Sequence, residues 1–333
     1  MANTARQALG GLDAETLRTM YRHMLRSRVL DERMWVLNRQ GRAPFWISGM
    51  GHEAAQVAVA MQLTVGTDWI APYYRDLALM LVLGMTPEEQ ILSVLAKADD
   101  PNSGGRQMPA HYGCRRLNVI TTGSPVCTQL LHAAGLALAS KIRGDDAITL
   151  VAFGEGSTSG GDFHEAVNFA ATRRLPVIFM VENNGYAISV PLENQMPTPA
   201  VADRAKGYNI PGLVMDGRDA LECYQTALEA VHHVRSGAGP VLLEANVVRL
   251  TSHSSDDDQR RYRTAEALEA DRAADCLILF RDRLAEMGVL SRADADEIRN
   301  VVQQEVDRAT EVAERAPDPE SATAMLHVLG EGE

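Results

Sequence analysis

The stretch AITLVAFGEGSTSGGDFHEAVNFAATRRLPVIFMVENN, residues 147–184, decides the fold class of the chain. Residues 147–153 and 175–181 are continuous apolar runs, and residues 162–174 between them carry a helical pattern. Buried apolar runs that alternate with helices are typical of a parallel sheet that is covered on both faces. We therefore predict an α/β fold built on a doubly wound, mostly parallel sheet with helices on both faces.

Further elements are predicted on both sides of this stretch. They are an amphipathic helix that begins near Asp13, a loop that enters a helix within 39–63, a strand, loop and helix within 68–85, a helix over 219–236, a strand over 239–248, and two amphipathic helices over 264–287 and 291–315. Thr264 and Ser291 are the predicted N-caps of the last two helices. The tail after Pro317 is expected to be loose.

Residues 97–113 are rich in turn-forming residues and are predicted to form a long loop. Loops of that length inside a domain are usually functional or mobile. We divide the chain into an N-terminal helical arm (1–45), an α/β domain (46–262) and C-terminal helices (263–333).

Composition and charge exclude several classes of protein. Of the 333 residues, 46% are apolar and 23% are charged, which excludes global disorder. A formal net charge of -12 argues against a nucleic-acid backbone as the main partner. The four cysteines form neither a CxxC motif nor a zinc spacing, no apolar run reaches the roughly 20 residues of a membrane span, and the start MANTARQALGG has no secretory or transit-peptide pattern. We predict a cytoplasmic protein with reduced thiols.

The first strand of the opening stretch continues into GEGSTSGG, residues 154–161. Glycines between a strand and a helix are typical of a loop that holds phosphate. The dinucleotide motif GxGxxG is absent because Ser159 takes the place of its last glycine, and the nucleophile motif GxSxG is absent because Thr158 takes the place of its serine. What remains is an acid, Glu155, between two glycines at the carboxyl end of a strand.

The second strand ends in a polar cluster that contains Asn184. Glu155 and Asn184 lie at the two strand ends of one predicted βαβ unit, and a right-handed crossover brings such ends to the same edge of a sheet. A carboxylate and an amide oxygen beside the backbone N–H groups of Gly156 and Ser157 suit Mg²⁺ bound to a diphosphate. The alternative for each motif alone is structural, namely an acid that caps a helix and an asparagine in an Asx turn.

Residues 154–189 resemble the thiamine-diphosphate motif, in which an acid between glycines is followed by a closing pair of asparagines. The chain is most similar to the α subunit of the E1 component of 2-oxo acid dehydrogenase complexes, in particular of the branched-chain type. The resemblance extends to RQGR at 39–42, YYRD at 73–76, GRQMPAHYG at 105–113, SPVCTQ at 124–129, and SHSSDDD with YR within 252–263.

The resemblance implies roles for individual residues in metal and cofactor binding. The side chains of Glu155 and Asn184 and the backbone carbonyl of Tyr186 would bind Mg²⁺. Arginine is a natural bidentate donor to phosphate, and a histidine that titrates near neutrality would serve catalysis. The residues implied to bind thiamine diphosphate are Tyr74, Arg75, Ser124, Val126, Gly156, Ser157 and His253.

The resemblance also implies a substrate pocket formed by Phe45, Tyr74, Met108 and His111. Apolar and flexible side chains there would suit a branched aliphatic tail, and His111 would meet the acid end of the substrate. The implied catalytic residues are His253, Ser124 and His111.

A second ion site is implied near residues 124–129, where some branched-chain relatives bind potassium. In this chain its ligands would include Pro125, Thr128 and Gln129. Gly123 stands where those relatives carry a hydroxyl, so the site would need only the carbonyl at that position.

The family has an activity that this chain would perform only with partners. Thiamine diphosphate carries out the decarboxylation of a 2-oxo acid, and the acyl group passes to the lipoyl domain of the E2 component. The glutamate that activates the cofactor belongs to a separate β subunit, so an α₂β₂ heterotetramer is expected. The loop over 252–263 would order when the cofactor binds and help to dock the lipoyl domain, and Ser254 and Ser255 stand near positions that are phosphorylated in animal relatives.

The sequence leaves three functions to distinguish. The sequence QMPAH followed by YG favours the α subunit of a branched-chain enzyme. Glu182 favours the α subunit of a pyruvate or acetoin enzyme, since some branched-chain enzymes carry a phosphate-binding arginine there. A non-catalytic scaffold subunit is the third, and the presence of Glu155, Asn184, Arg75 and His253 argues against it. Beside a diphosphate, the charge of Glu182 would be unfavourable unless its side chain turns away or pairs with a cation.

Overall fold

A five-stranded parallel sheet lies at the centre of the computed structural model, which describes residues 11–326 of the chain. The strands of the described part are β1 (Trp69–Ala71), β2 (Thr149–Gly154), β3 (Val177–Asn183), β4 (Tyr186–Ala187), β5 (Val190–Pro191), β6 (Gly212–Asp216) and β7 (Val241–Asn246). The order in the sheet is β1-β2-β3-β7-β6 with every neighbouring pair parallel, while β4 and β5 form a separate antiparallel pair. The predicted mostly parallel sheet is confirmed.

Helices surround this sheet, and two of them, Pro87–Val94 and Thr128–Arg143, were not predicted from the sequence. The helices of the described part are α1 (Ala14–Arg39), α2 (Glu53–Ala60), α3 (Leu77–Leu83), α4 (Pro87–Val94), α5 (Thr128–Arg143), α6 (Gly161–Arg173), α7 (Ala220–Arg235), α8 (Ala265–Ala273), α9 (Cys276–Glu286) and α10 (Arg292–Arg315). The side chains of Asp13, Thr264 and Ser291 each accept a hydrogen bond from a backbone N–H in the first turn that follows. The two predicted N-caps, Thr264 and Ser291, are confirmed, and Asp13 caps the helix that was predicted to begin near it.

The central strands are buried on both faces, which explains why they are apolar without interruption. In β3, Phe179 and Val181 pack with α5 and α6, whereas Ile178 and Met180 belong to the core on the opposite face, which includes α2 and α7. Successive side chains of a strand point to opposite faces. The alternation in β3 therefore places one helical layer on each side of the sheet, as predicted.

The βαβ unit of β2, α6 and β3 positions the polar strand ends. β2 pairs directly with β3, and Gly154 lies opposite Glu182 in the register. Because both strands end at the same edge, Glu155 and the turn that contains Asn184 lie next to each other at that edge of the sheet. The predicted convergence of the two motifs is confirmed.

The structure corrects one predicted helix and contains a strand of the main sheet that was not predicted. The helix expected over 264–287 is broken after Ala273, because Asp275 starts a new helix by accepting a hydrogen bond from the backbone N–H of Leu277. Strand β6 was not predicted. It is a half-exposed edge strand of five residues that pairs only with β7, so it lacks a long apolar run.

The tail after Pro317 is not loose over its described part. The Pro317 carbonyl accepts a hydrogen bond of 2.9 Å from the backbone N–H of Ala98. Lys97 forms an ion pair of 2.7 Å with Asp318, and Arg106 donates to the Thr323 carbonyl at 2.8 Å. The segment 317–326 therefore lies against the beginning of the long loop over 97–113.

Within residues 11–326, no helix is long and apolar enough to cross a membrane. The helices α1 and α10 share one hydrophobic core with α2 and the sheet. The division into an arm (1–45), an α/β domain (46–262) and C-terminal helices (263–333) stays a prediction. Residues 1–10 of the arm and 327–333 of the last part lie outside the described residues.

Candidate functional site

A cleft of about 360 Å³ opens at the carboxyl ends of β2 and β3. This is the edge where open parallel sheets bind ligands. The lining residues are Phe45, Ile47, Tyr73, Tyr74, Arg75, Met108, Ser124, Val126, Gly154, Glu155, Gly156, Ser157, Tyr186, Ala187, Ile188 and His253. Most of the predicted site residues are among them.

Glu155 follows β2 directly and is 2% exposed. Burial raises the pKa of its carboxyl group, while hydrogen bonds from backbone N–H groups and from Gln195, whose Nε2 lies 3.3 Å from Oε1, oppose that effect. A buried carboxylate of this kind gains stability when a cation lies beside it. Glu155 is therefore suited to hold a positive ion at the floor of the cleft.

The loop after Glu155 brings its backbone close to the turn after β3. A Cβ atom added at Gly156 would lie only 2.7 Å from the Cβ atom of Ala187. The glycine is thus required by the close approach of two backbone segments, which leaves backbone N–H groups accessible to a ligand. This agrees with the predicted phosphate-holding loop.

The turn after β3 is held by the two asparagine side chains. The Asn184 side-chain oxygen accepts from the backbone N–H of Tyr186 at 3.2 Å, and the Asn183 oxygen accepts from that of Gly185 at 3.0 Å. These bonds form the Asx turns that were the alternative to metal binding. Asn184 lies beside the cleft but is not among its lining residues. Its role as a metal ligand stays a prediction.

Histidine, cysteine and acidic side chains do not cluster as a metal site in the described part of the chain. The predicted set has one carboxylate, from Glu155, with oxygens from Asn184 and the Tyr186 backbone. Mg²⁺ binds through few protein carboxylates and takes its other ligands from phosphate and water. Such a site needs no cluster of acids.

Arg75 is 1% exposed, although an isolated arginine in a loop would normally lie at the surface. Its Nη1 donates to the Ser48 carbonyl at 2.6 Å, and its Nη2 donates to the His253 carbonyl at 3.0 Å. Its Nε has no hydrogen-bond partner. Three of its five N–H groups donate to Ser48 and His253, so the guanidinium is held at the lining of the cleft and keeps donors that suit an anion.

His253 lies beside Arg75, with its Nδ1 3.0 Å from Nη2 of the guanidinium. Since arginine only donates, Nδ1 accepts and Nε2 carries the proton of the neutral ring. Burial and the charges of Arg75 and Arg249 lower the pKa of His253 to about 4, although Asp257 opposes them. The expected titration near neutrality is therefore wrong for the protein without a bound anion, and His253 enters the cleft as a neutral donor.

The lowered pKa of His253 predicts a pH dependence of stability. Between pH 4 and the ordinary histidine pKa of about 6.5, the unfolded chain binds a proton that the native chain does not. His253 therefore lowers the free energy of unfolding as the pH falls through this window. We expect His253→Gln to reduce the loss of stability between about pH 7.5 and pH 5, measured from urea-unfolding midpoints. His132→Gln on the exposed face of α5 is the control, and an equal loss in His253→Gln and wild type would contradict the prediction.

Ser124 and His111 form a hydrogen-bonded pair. The His111 Nε2 lies 2.5 Å from the Ser124 Oγ, and its Nδ1 lies 3.0 Å from the Pro109 carbonyl, which can only accept. Nδ1 therefore carries the proton, and Nε2 accepts from the serine hydroxyl. His111 is 6% exposed and lies behind Ser124 rather than in the cleft lining. The serine reaches the cleft, and the histidine orients it.

The apolar part of the cleft contains Phe45, Met108 and Val126. The side chains of Met108 and Val126 are 46% and 50% exposed, so this wall is open toward solvent in the isolated chain. The structure thus places Phe45, Tyr74 and Met108 together in the cleft lining, as predicted, whereas His111 is not part of that lining.

Several lining residues were not predicted. Ile47, Tyr73 and Ile188 are apolar or aromatic positions in loops, where no periodic pattern distinguishes a cleft from a core. Gln195 contacts Glu155 from an irregular segment after β5, and no motif in the sequence marks it.

The loop over 252–263 forms hydrogen bonds with neighbouring segments, and its ordering by the cofactor stays a prediction. Arg249 is 1% exposed, and it donates to the Ile188 carbonyl at 2.9 Å and to the Tyr262 hydroxyl at 2.8 Å. Ser254 is buried, and the Ser255 Oγ accepts from the backbone N–H of Trp46 at 3.1 Å. The loop is therefore attached to the turn after β3 and to the segment before α2.

Comparison with known proteins gives a consistent result. The family model described as "Dehydrogenase E1 component" matches residues 21–322. The chain is 49% identical to the 2-oxoisovalerate dehydrogenase subunit alpha of Bacillus subtilis (strain 168), over an alignment of 333 residues that covers 98% of this chain and 99% of the relative. It is 39% identical over 281 residues to the 3-methyl-2-oxobutanoate dehydrogenase subunit alpha of Mycobacterium tuberculosis (strain ATCC 25618 / H37Rv), with 84% of this chain and 74% of the relative covered. It is 36% identical over 305 residues to the 2-oxoisovalerate dehydrogenase subunit alpha 2, mitochondrial, of Arabidopsis thaliana. That alignment covers 90% of this chain and 63% of the relative.

Proposed function

Because the chain belongs to the dehydrogenase E1 component family, we propose that it is the α subunit of a branched-chain 2-oxo acid dehydrogenase E1. This enzyme oxidatively decarboxylates a 2-oxo acid and transfers the acyl group to the lipoyl group of E2. The observation that carries the proposal is the 49% identity, across nearly the whole of both chains, with a 2-oxoisovalerate dehydrogenase subunit alpha. The names of the relatives do not favour a pyruvate or acetoin enzyme, nor a scaffold subunit.

The cleft fits thiamine diphosphate with Mg²⁺. It combines a buried carboxylate whose pKa is raised, a glycine loop that approaches a second backbone segment, and an arginine with a free Nε. We assign Glu155, the Asn184 side chain and the Tyr186 carbonyl to Mg²⁺, and we assign Gly156, Ser157, Arg75 and His253 to the diphosphate. Tyr74, Ser124 and Val126 would contact the rest of the cofactor. When bound, the cofactor would supply the nucleophilic carbon and the electron-accepting ring that the decarboxylation of a 2-oxo acid requires.

The residues of this chain prepare the cleft for that chemistry. Arg75 and neutral His253 place two N–H donors beside each other, which suits the negative charge of a phosphate. Ser124, oriented by His111, offers a hydroxyl oxygen at the wall of the cleft. Phe45, Tyr74 and Met108 provide an apolar surface for a branched chain.

A second subunit is needed to close the cleft. Val126 and Ile188 line it and are 50% and 57% exposed, so the apolar rim is uncovered in the isolated chain. Exposed apolar surface around a ligand site supports a docking surface for another protein. We propose that a β subunit covers this rim in an α₂β₂ heterotetramer and that the lipoyl domain of E2 docks at the same opening. A cytoplasmic location stays a prediction.

A potassium site near residues 124–129 is also proposed. The Thr128 hydroxyl donates to the Pro125 carbonyl at 3.0 Å, and the Gln129 Nε2 donates to the Ala152 carbonyl at 3.2 Å. The Gln129 Oε1 is buried without a hydrogen-bond partner. A buried amide oxygen without a donor is costly, and a cation would offset that cost.

The substrate assignment predicts a preference that can be measured. The chain, purified with its β partner and saturated with thiamine diphosphate and Mg²⁺, should decarboxylate 3-methyl-2-oxobutanoate with a kcat/KM at least about tenfold above that for pyruvate. The reason is the apolar wall of Phe45 and Met108, since each buried methylene contributes about 0.8 kcal/mol. A clear preference for pyruvate would overturn the branched-chain assignment. The chain without the β partner is the control and should be inactive.

A further inference from the structure

Glu182 lies one strand position before the proposed metal turn, yet its side chain does not reach the cleft. It is fully buried, and its Oε2 lies 2.6 Å from the Nδ1 of His52. The Gln56 Nε2 donates to both of its oxygens, at 3.1 and 3.2 Å. Glu182 is not among the residues that line the cleft. The carboxyl group has turned away from the diphosphate position and toward α2.

Gln56 connects Glu182 to the segment that carries Arg75. Its Nε2 also donates to the Arg75 carbonyl at 3.0 Å, and its Oε1 accepts from the backbone N–H of Ala78 at 3.2 Å. The amide nitrogen has two hydrogens, so one serves Glu182 and the other serves Arg75. The Gln56 side chain is therefore fixed in the rotamer that holds the backbone of Arg75.

The Arg75 backbone has little room in which to move. A Cβ atom added at Gly49 would lie 2.4 Å from the Arg75 carbonyl oxygen, so that segment presses against it. The guanidinium is held separately by Ser48 and His253. Without Glu182, the Gln56 Nε2 would lose one of its acceptors and keep only the Arg75 carbonyl and, at 3.5 Å, the Asp76 Oδ1. His52 would lose the partner of its Nδ1. The Arg75 carbonyl, which also accepts from the backbone N–H of Leu77 at 2.8 Å, would then have a less rigidly held partner in Gln56.

We propose that Glu182 is a positioning residue that holds Arg75 at the cofactor cleft through Gln56, with His52 fixing the carboxyl group. The proposal rests on the proposed function, because it takes Arg75 as the phosphate-binding group. It explains why an acid is compatible with a diphosphate nearby: the carboxylate serves the arginine and does not face the phosphate.

The test measures the affinity for thiamine diphosphate by calorimetry on the complex with its β partner, at saturating Mg²⁺. Glu182→Ala and Gln56→Ala should each weaken binding about tenfold, and the double variant should be little weaker than either, because both break one chain of contacts. Glu182→Gln keeps an oxygen for His52 and Gln56, so it should bind within about twofold of wild type. At saturating cofactor, kcat should change little in all four variants.

Two further variants separate the possible failures. Asp68→Ala removes an equally buried carboxylate at the opposite end of the sheet, where it accepts from Ile148 and Thr64, and should lower the thermal midpoint without changing cofactor affinity. Arg75→Ala tests the premise: unchanged affinity there would overturn the phosphate role of Arg75. Weaker binding in Arg75→Ala with wild-type binding in Glu182→Ala would overturn the positioning role alone. Tighter binding in Glu182→Gln would instead show a direct charge effect and reject the proposal.

Discussion

Replacing Glu155 by glutamine is expected to weaken Mg²⁺-dependent binding of thiamine diphosphate by about a hundredfold or more, or roughly 2.7 kcal/mol. The side chain is 2% exposed, so its negative charge meets a bound cation with little screening by water. Glutamine keeps the shape and removes the charge. Calorimetric titration of the complex, with and without Mg²⁺, would measure the loss.

The same variant should behave differently before any ligand binds. Burial raises the pKa of Glu155, so the native chain holds a proton that the unfolded chain releases as the pH rises above the ordinary glutamate pKa. The ionised group thus opposes folding at neutral pH, and Glu155→Gln without ligand should be at least as stable as wild type. Asp162→Asn, in the first turn of α6 outside the cleft lining, is the matched charge control. Wild-type affinity in Glu155→Gln would refute the metal assignment.

The parts of the fold that sequence analysis predicted are those with a local physical cause. β2 and β3 are apolar without interruption because both faces are buried, and this produces a recognisable pattern. Their pairing follows from the crossover rule, so the convergence of Glu155 with the Asn184 turn needed no structure. The edge strand β6 has one exposed side and was missed for that reason.

The parts that could not be predicted depend on contacts between distant residues. Arg75 and His253 are 178 residues apart, and burial together with the charge of Arg75 lowers the pKa of the histidine, which the sequence alone placed near neutrality. Glu182 seemed misplaced beside a diphosphate only because its partners, His52 and Gln56, lie 130 and 126 residues away. Sequence pattern and resemblance identified these residues. The orientation of each side chain depends on its packing partners and could be known only from the structure.

Replacing Arg28 by methionine is expected to destabilise the protein by about 3–5 kcal/mol. Arg28 lies in α1 and donates to Glu53 at 2.7 Å and to both oxygens of Asp275 at 2.7 and 2.9 Å. The three side chains are only 8%, 1% and 8% exposed. Without the guanidinium, two carboxylates would remain buried close together with no cation.

The size of this effect follows from what the three residues connect. Glu53 begins α2 and Asp275 caps α9, so Arg28 joins the N-terminal helix to the C-terminal helices and to the element that carries Gln56. Urea-unfolding midpoints at a fixed protein concentration would measure the loss. Arg299→Met breaks an ion pair with Glu32 in which the side chains are 47% and 43% exposed, and it should cost at most about 1 kcal/mol. If the two substitutions lowered stability equally, the burial of Arg28 with Glu53 and Asp275 would not be what makes these ion pairs stabilising.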